Sequence, residues 1–237
     1  RLAREFDRVG HAVVDHWTYA ICSDGDLQEG IAAEAASLAG HLRLGKLVLL
    51  YDDNLVQLDG PTGMAWSEDV PRRFDAYGWH TARVADGNDL AAIESAIRSA
   101  RADERPSLIA VRTEIGFGSP NKHGSHRAHG AALGPEEVRL TKEAYGWDPD
   151  REFHVPDAVA TLMRRAVARG EAHVREWSSR LLRYAAAYPA EAAELDRRVR
   201  RELRPGWSAA LEGCPPVQDL ATRQAGQRAL AALCGPV

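Results

Sequence analysis

Two hydrophobic periods share the first 150 residues of the chain. Thr18–Ser23 (TYAICS) is a short β-rich run that breaks at Asp24-Gly25. Ile31, Leu38 and Leu42 then fall near one face of a helix that ends at Gly45. Leu47–Tyr51 (LVLLY) is apolar at every position, as expected of a strand covered by helices on both faces of a parallel sheet. Glu68–Tyr77 predicts a helix, Thr81–Ala85 a strand, Leu90–Arg101 a helix and Ser107–Thr113 a further strand. Strands separated by helices of this length make βαβ units. The expected fold class is therefore α/β, a parallel sheet flanked by helices.

After Trp147 the pattern changes. Ala158–Tyr188 and Ala190–Leu203 are rich in Ala, Arg and Glu at helical spacing, with Pro189 between them. They predict an exposed helical segment that follows the sheet as a connector. Pro205-Gly206 and Pro215-Pro216 mark further breaks, and Asp219–Leu233 reads as a capped helix. The expected division is a binding domain over 1–150, a helical linker over 151–215, and the first helix of a further domain over 216–237.

Composition narrows the function classes. With 45% hydrophobic and 27% charged residues, the 237-residue chain can build a core, which excludes a disordered or low-complexity reading. A net charge of -4 gives no bulk attraction to nucleic acid or to acidic membranes, and no run approaches the roughly 18 apolar residues of a membrane span. Three widely spaced cysteines, Cys22, Cys214 and Cys234, form no CxxC pair and point to a reducing, cytoplasmic location.

The candidate chemistry lies in Ser23-Asp24-Gly25-Asp26-Leu27-Gln28-Glu29-Gly30 and in Tyr51-Asp52-Asp53-Asn54. From Asp24 to Asn54 the chain covers one strand end, one helix and the next strand end. In a parallel sheet those two ends share the edge where open α/β sheets bind ligands. One carboxylate oxygen, one amide oxygen and a backbone carbonyl just past Asn54 suit a hard cation such as Mg²⁺, whose shell phosphate oxygens and water complete. Gly25 lets the backbone approach a diphosphate beside a helix N-terminus. The same residues also suit plain turn and loop capping. No GxGxxG follows a strand, which disfavours a dinucleotide.

DGDLQEG followed by GKLVLLYDDN resembles the thiamine diphosphate signature, in which Gly-Asp-Gly is followed about thirty residues later by Asn. LDGPTGMAWSEDVPRRFDAYGWH, TEIGFGSPNKHGSHRAHGAALG and LTKEAYGW carry the likeness further, to transketolase. The resemblance continues through AYPAEAAELDRR to ATRQAGQRAL and covers essentially the whole chain in order. It implies a thiamine diphosphate-binding fold and transfer of a two-carbon ketol unit between sugar phosphates. The implied cofactors are thiamine diphosphate and Mg²⁺ (or Ca²⁺), and the implied assembly is a homodimer.

Residue by residue, the resemblance makes Asp24, the Asn54 side chain and the Val56 carbonyl the metal ligands, and Gly25 and Asn54 diphosphate contacts. Leu58 and Ile115 would flank the thiamine rings. His129 would reach diphosphate and donor sugar as a catalytic group. Glu29, counted with His129 as catalytic, and Glu34 match acids at the subunit interface near the cofactor, and Arg223 matches an arginine that holds the sugar phosphate. Two departures stand out. Ser23 replaces the first Gly of the signature, and Leu55 replaces Gly after Asn54, so the turn is expected to avoid a positive φ.

The family's Gly-Pro-Leu-Gly-Gln-Gly segment and its pyrimidine-binding domain with the activating glutamate do not match any of these residues. The chain alone is accordingly expected to be incomplete and inactive. A dihydroxyacetone synthase, a phosphoketolase, a split transketolase subunit and a non-catalytic metal- and diphosphate-binding module remain as alternatives.

Overall fold

The computed structural model describes residues 2–212 and 220–234, in two compact units. Residues 16–157 form the first. Residues 2–15 and those from 158 onward form the second. Cys214, Pro215-Pro216 and the Asp219 start of the last expected helix lie outside the described residues.

The first unit is a four-stranded sheet of β1 (Thr18–Ser23), β2 (Leu47–Asp53), β3 (His80–Val84) and β4 (Ser107–Arg112), in the order β1-β2-β4-β3. Every pair is parallel. The four expected strands are all present, and β2 runs two residues further than its apolar run. Alternation along β4 shows why a continuous apolar run was needed. Leu108 and Ala110 pack on one face with Val70, Phe74 and Trp79. Ile109 and Val111 pack on the other with Val48, Val84 and Ala100. A central strand buried on both faces is apolar from Leu108 to Val111, and its one buried polar side chain, Ser107, is hydrogen-bonded to His80 and the Ala100 carbonyl.

One face is covered by α2 (Asp24–Gln28), α3 (Gly30–His41) and α4 (Val70–Ala76), the other by α5 (Leu90–Ala102). Asp69 and Asp89 start α4 and α5 by accepting the Arg72 and Ala92 amides. Trp79, fully buried, donates its indole N–H to the Ala36 carbonyl at 2.8 Å, which fixes α3 against the sheet.

On α3 the buried residues are Ala36, Ala39 and Gly40, while Ile31, Leu38 and the capping Leu42 are exposed. Small side chains let the helix approach closely, so the larger apolar stripe turns outward. A helix that the sequence pattern did not reveal, α6 (Pro135–Ala144), follows the long loop after β4.

The second unit holds α1 (Leu2–Phe6), α7 (Asp157–Ala187), α8 (Pro189–Val199), α9 (Ala209–Glu212) and α10 (Thr222–Leu233). Its buried cluster is Phe6, Val13, Tyr184, Ala192 and Leu195. Asp7 accepts the Val13 and Val14 amides, each at 2.8 Å, and Trp177 donates to the Val13 carbonyl at 2.9 Å.

Candidate active site

The register of β1 against β2 pairs Ser23 with Asp52. Asp24 therefore begins α2 beside the end of β2, and Asn54 follows Asp53 out of the same sheet edge. This is the carboxyl edge of the parallel strands, where the spacing argument located it.

Asp24 is buried to 1% exposure. Its Oδ1 accepts the Tyr51 hydroxyl, which also lies 3.3 Å from Asp53 Oδ1, while its buried Oδ2 accepts no hydrogen bond. Burial raises the Asp24 carboxyl above its ordinary value, the charges of Asp53 and Asp52 add to this, and Tyr51 and Arg112 oppose it. Tyr51 is raised as well, by burial and then by Asp24. Burial, then Asp26, Asp24 and Asp52, pushes the Cys22 thiol up to about 12.

All three shifts report an excess of negative charge in a poorly solvated place. The cation facing it is Arg112, whose guanidinium pairs with Asp53 Oδ2 at 2.9 Å and donates to the Asp53 carbonyl at 3.2 Å. A buried carboxylate with one unsatisfied oxygen is a natural ligand for a divalent cation. Among the described residues no three His, Cys, Asp or Glu side chains cluster for a metal. The donor set open to a cation here is one carboxylate with amide and carbonyl oxygens.

Asn54 is oriented by its neighbours. Its amide N–H₂ donates to Asp52 Oδ2 at 3.0 Å, Asp52 Oδ1 accepts the Thr113 hydroxyl, and the Asn54 carbonyl oxygen accepts the Val56 amide at 2.9 Å. One lone pair of that oxygen remains. Leu55 has φ +63°, contrary to the expectation that a side chain at this position would keep φ negative. The left-handed conformation costs roughly 1–2 kcal/mol. It is offset by the turn around it, where Val56 donates to Asn54, Thr62 donates to the Leu55 carbonyl at 2.9 Å, and Val56 pairs with Pro61.

Ser23, in place of glycine, is accommodated in extended backbone. Its amide and hydroxyl both donate to Asp26 Oδ2, at 2.8 and 3.0 Å, which turns that extra carboxylate back on its own helix start.

Asp24 and Asn54 line adjacent cavities of about 500 and 640 Å³ that share Leu55, Pro61 and Arg112. A Cβ on Gly25 would meet nothing within 4 Å, so open space faces that backbone. Leu58 is 68% exposed and lines a third cavity with Lys122, His126, Arg127, Gly130 and Ala131. Ile115 is half-buried at the start of the loop, and His129 is exposed at the end of a short 3-10 turn over His126–Ala128. Glu29 and Glu34 are exposed on the α2–α3 side. Arg223 is exposed on α10, in the other unit. Tyr51, Arg112 and Thr113 are the site residues that sequence reasoning missed.

A parallel sheet whose carboxyl edge carries a buried, partly unsatisfied carboxylate and an Asp-Gly…Asn pair defines an α/β domain of the kind that binds ligands at that edge. Residues 1–204 match the family described as "Transketolase, thiamine diphosphate binding domain". The chain belongs to the transketolase family and carries its thiamine diphosphate-binding domain.

It is 49% identical over 236 residues to a transketolase of Halalkalibacterium halodurans, and 46% identical over 238 residues to one of Geobacillus stearothermophilus. All of this chain is covered in both, against 35% and 36% of those proteins. A transketolase structure from Leishmania mexicana superposes with a TM-score of 0.86 at 38% identity, over 98% of this chain and 34% of that one. One from Pichia stipitis, in complex with sedoheptulose 7-phosphate, superposes at 0.85 and 36% identity, over 98% and 34%. The chain thus spans about a third of the length of these relatives. The matches favour transketolase over a dihydroxyacetone synthase, a phosphoketolase or a non-catalytic module.

Proposed function

We propose that the complete protein containing this chain transfers a two-carbon ketol unit from a ketose phosphate to an aldose phosphate. The observation that carries the proposal is the buried Asp24 with its unsatisfied oxygen at the carboxyl edge of the sheet in a thiamine diphosphate-binding domain, the edge from which Asn54 also leaves β2. When bound, thiamine diphosphate supplies the carbon nucleophile and stabilises the charge left after the C–C bond breaks. The chain's own residues bind, orient and move protons.

In this reading Asp24, the Asn54 amide oxygen and the Val56 carbonyl hold Mg²⁺ (or Ca²⁺). Gly25 and Asn54 meet the diphosphate, Leu58 and Ile115 flank the thiamine rings, and Arg223 holds the sugar phosphate through its planar donor fork. His129, exposed on its loop, donates to the diphosphate and the donor sugar and carries the proton as charge develops on the sugar oxygen. Sugar phosphates as substrates are supported by the Pichia stipitis complex with sedoheptulose 7-phosphate.

A homodimer belongs to the same reading. The outward Ile31, Leu38 and Leu42 stripe of α3, next to Glu29 and Glu34, supports it as the subunit surface. A cytoplasmic location rests on the sparse cysteines.

The test uses the complete protein. Calorimetry should show thiamine diphosphate binding that depends on Mg²⁺, and coupled assays should show ketol transfer from a ketose phosphate to an aldose phosphate. Binding that is indifferent to Mg²⁺, or absence of transfer by the loaded protein, would overturn the proposal.

A further inference from the structure

The loop between β4 and α6 carries His123, His126 and His129 and contains little regular structure. Ordering such a segment costs roughly 1–2 kcal/mol per residue in backbone entropy, so something must hold it. What holds it is on α6. Glu137, in the first turn of that helix, is buried to 7% exposure. Its Oε1 accepts the Ser119 hydroxyl and the Asn121 amide, the latter at 2.8 Å, while its Oε2 accepts the Asn121 side-chain N–H₂ at 2.9 Å. These three donors hold the carboxyl down at about 2, well below its ordinary value.

The contacts around this clamp run onward along the loop. Lys122 donates to the Leu133 carbonyl at 2.8 Å, Ser125 to the Lys122 carbonyl at 2.7 Å, and the Gly124 amide to the Ile115 carbonyl at 2.8 Å. The next residues are the 3-10 turn that ends at His129. On the near side, Gly118 has φ +85°, and a Cβ there would lie 2.5 Å from the ring of Tyr145, which caps the end of α6 and whose hydroxyl donates to the Phe117 carbonyl. Chain and helix therefore approach as closely as glycine allows.

We propose that Glu137 is a positioning residue. It fixes the Ser119–Asn121 turn on α6 and thereby sets the loop that presents His129 to donor sugar and diphosphate. The inference rests on the function proposed above. Glu137 touches the loop at Ser119 and Asn121 and acts through it, while a second carboxylate, Glu114, meets His123 Nδ1 at 2.7 Å further along the same loop.

The test is a double-mutant cycle in the complete protein with thiamine diphosphate and Mg²⁺. Glu137→Ala should lower kcat/KM about 10–100-fold, the scale of a small misplacement of a reacting group. In a His129→Ala background the same change should add less than about twofold, because the two residues act as one unit. Glu137→Gln, which keeps one acceptor oxygen, should recover part of the loss, and it carries the test if the alanine variant fails to fold. Amide exchange over residues 114–130 should rise in Glu137→Ala whether or not the enzyme is loaded. Equal losses in both backgrounds, or unchanged loop exchange, would overturn the positioning role. A wild-type protein that transfers no ketol unit would instead overturn the function on which the role depends, and the exchange measurement would still report the clamp.

Discussion

Asp24 is the residue from which the site's chemistry is built, because one of its oxygens is taken by Tyr51 and the other has no protein partner. Asp24→Ala should weaken Mg²⁺-dependent thiamine diphosphate binding by more than the ~10–100-fold that follows loss of an outer-shell partner, and calorimetry reads this directly. Tyr51→Phe should fall within that outer-shell range. The spacing of Asp24 and Asn54 was legible because both are strand-end residues in a repeating βα pattern. Tyr51 was not, because along the chain it reads as one more apolar position of β2, and its partner Asp24 stands at the start of α2, far away in sequence. Leu55 was misjudged because a penalty of roughly 1–2 kcal/mol is within what a well-bonded turn can absorb. Its side chain is half exposed, so Leu55→Asn should raise stability by under about 1 kcal/mol, while the β-branched Leu55→Val should lower it, as thermal unfolding would show.

Among the elements, the strands were the most legible, above all β2 and β4 at the centre of the sheet, whose apolar runs are nearly continuous, while β1 and β3 at its edges are mixed in sequence. Helix faces were harder to read. The large residues of α3 point outward, and the packing face is made of Ala36, Ala39 and Gly40 under Trp79. Trp79→Ala should therefore cost about 3–5 kcal/mol, read by denaturant unfolding. The start of α6 could have been found from Pro135 followed by two glutamates, a favourable first turn. The loop contacts that make Glu137 important could not, because they join residues sixteen and eighteen positions apart with no local period. The clamp also predicts a pH dependence. The folded carboxyl ionises at about 2 and its ordinary value is 4.5, so unfolding takes up a proton between those limits. The stability difference between wild type and Glu137→Gln should be complete above about pH 4.5 and shrink as pH falls toward about 2. A difference that stays constant across that interval would contradict the clamp.

At the scale of the molecule, the chain spans about a third of the length of the relatives it matches. The binding edge was legible from topology alone, because parallel strands force their carboxyl ends onto one side. The partition of residues 2–15 into the helical unit was not, since that pairing depends on long-range contacts such as those of Asp7 with Val13 and Val14 and of Trp177 with Val13. Thiamine diphosphate and Mg²⁺ together, at about 100 times the dissociation constant, should stabilise the complete protein by roughly 2.7 kcal/mol, and either one alone by much less. The most direct measurement is anomalous scattering from a crystal of the complete protein grown with thiamine diphosphate and Mn²⁺ as the cation. The expected peak lies within about 2.0–2.6 Å of an Asp24 carboxylate oxygen, the Asn54 amide oxygen and the Val56 carbonyl. A cation found on the diphosphate with Asp24 still closed on Tyr51 and out of its shell would contradict the account.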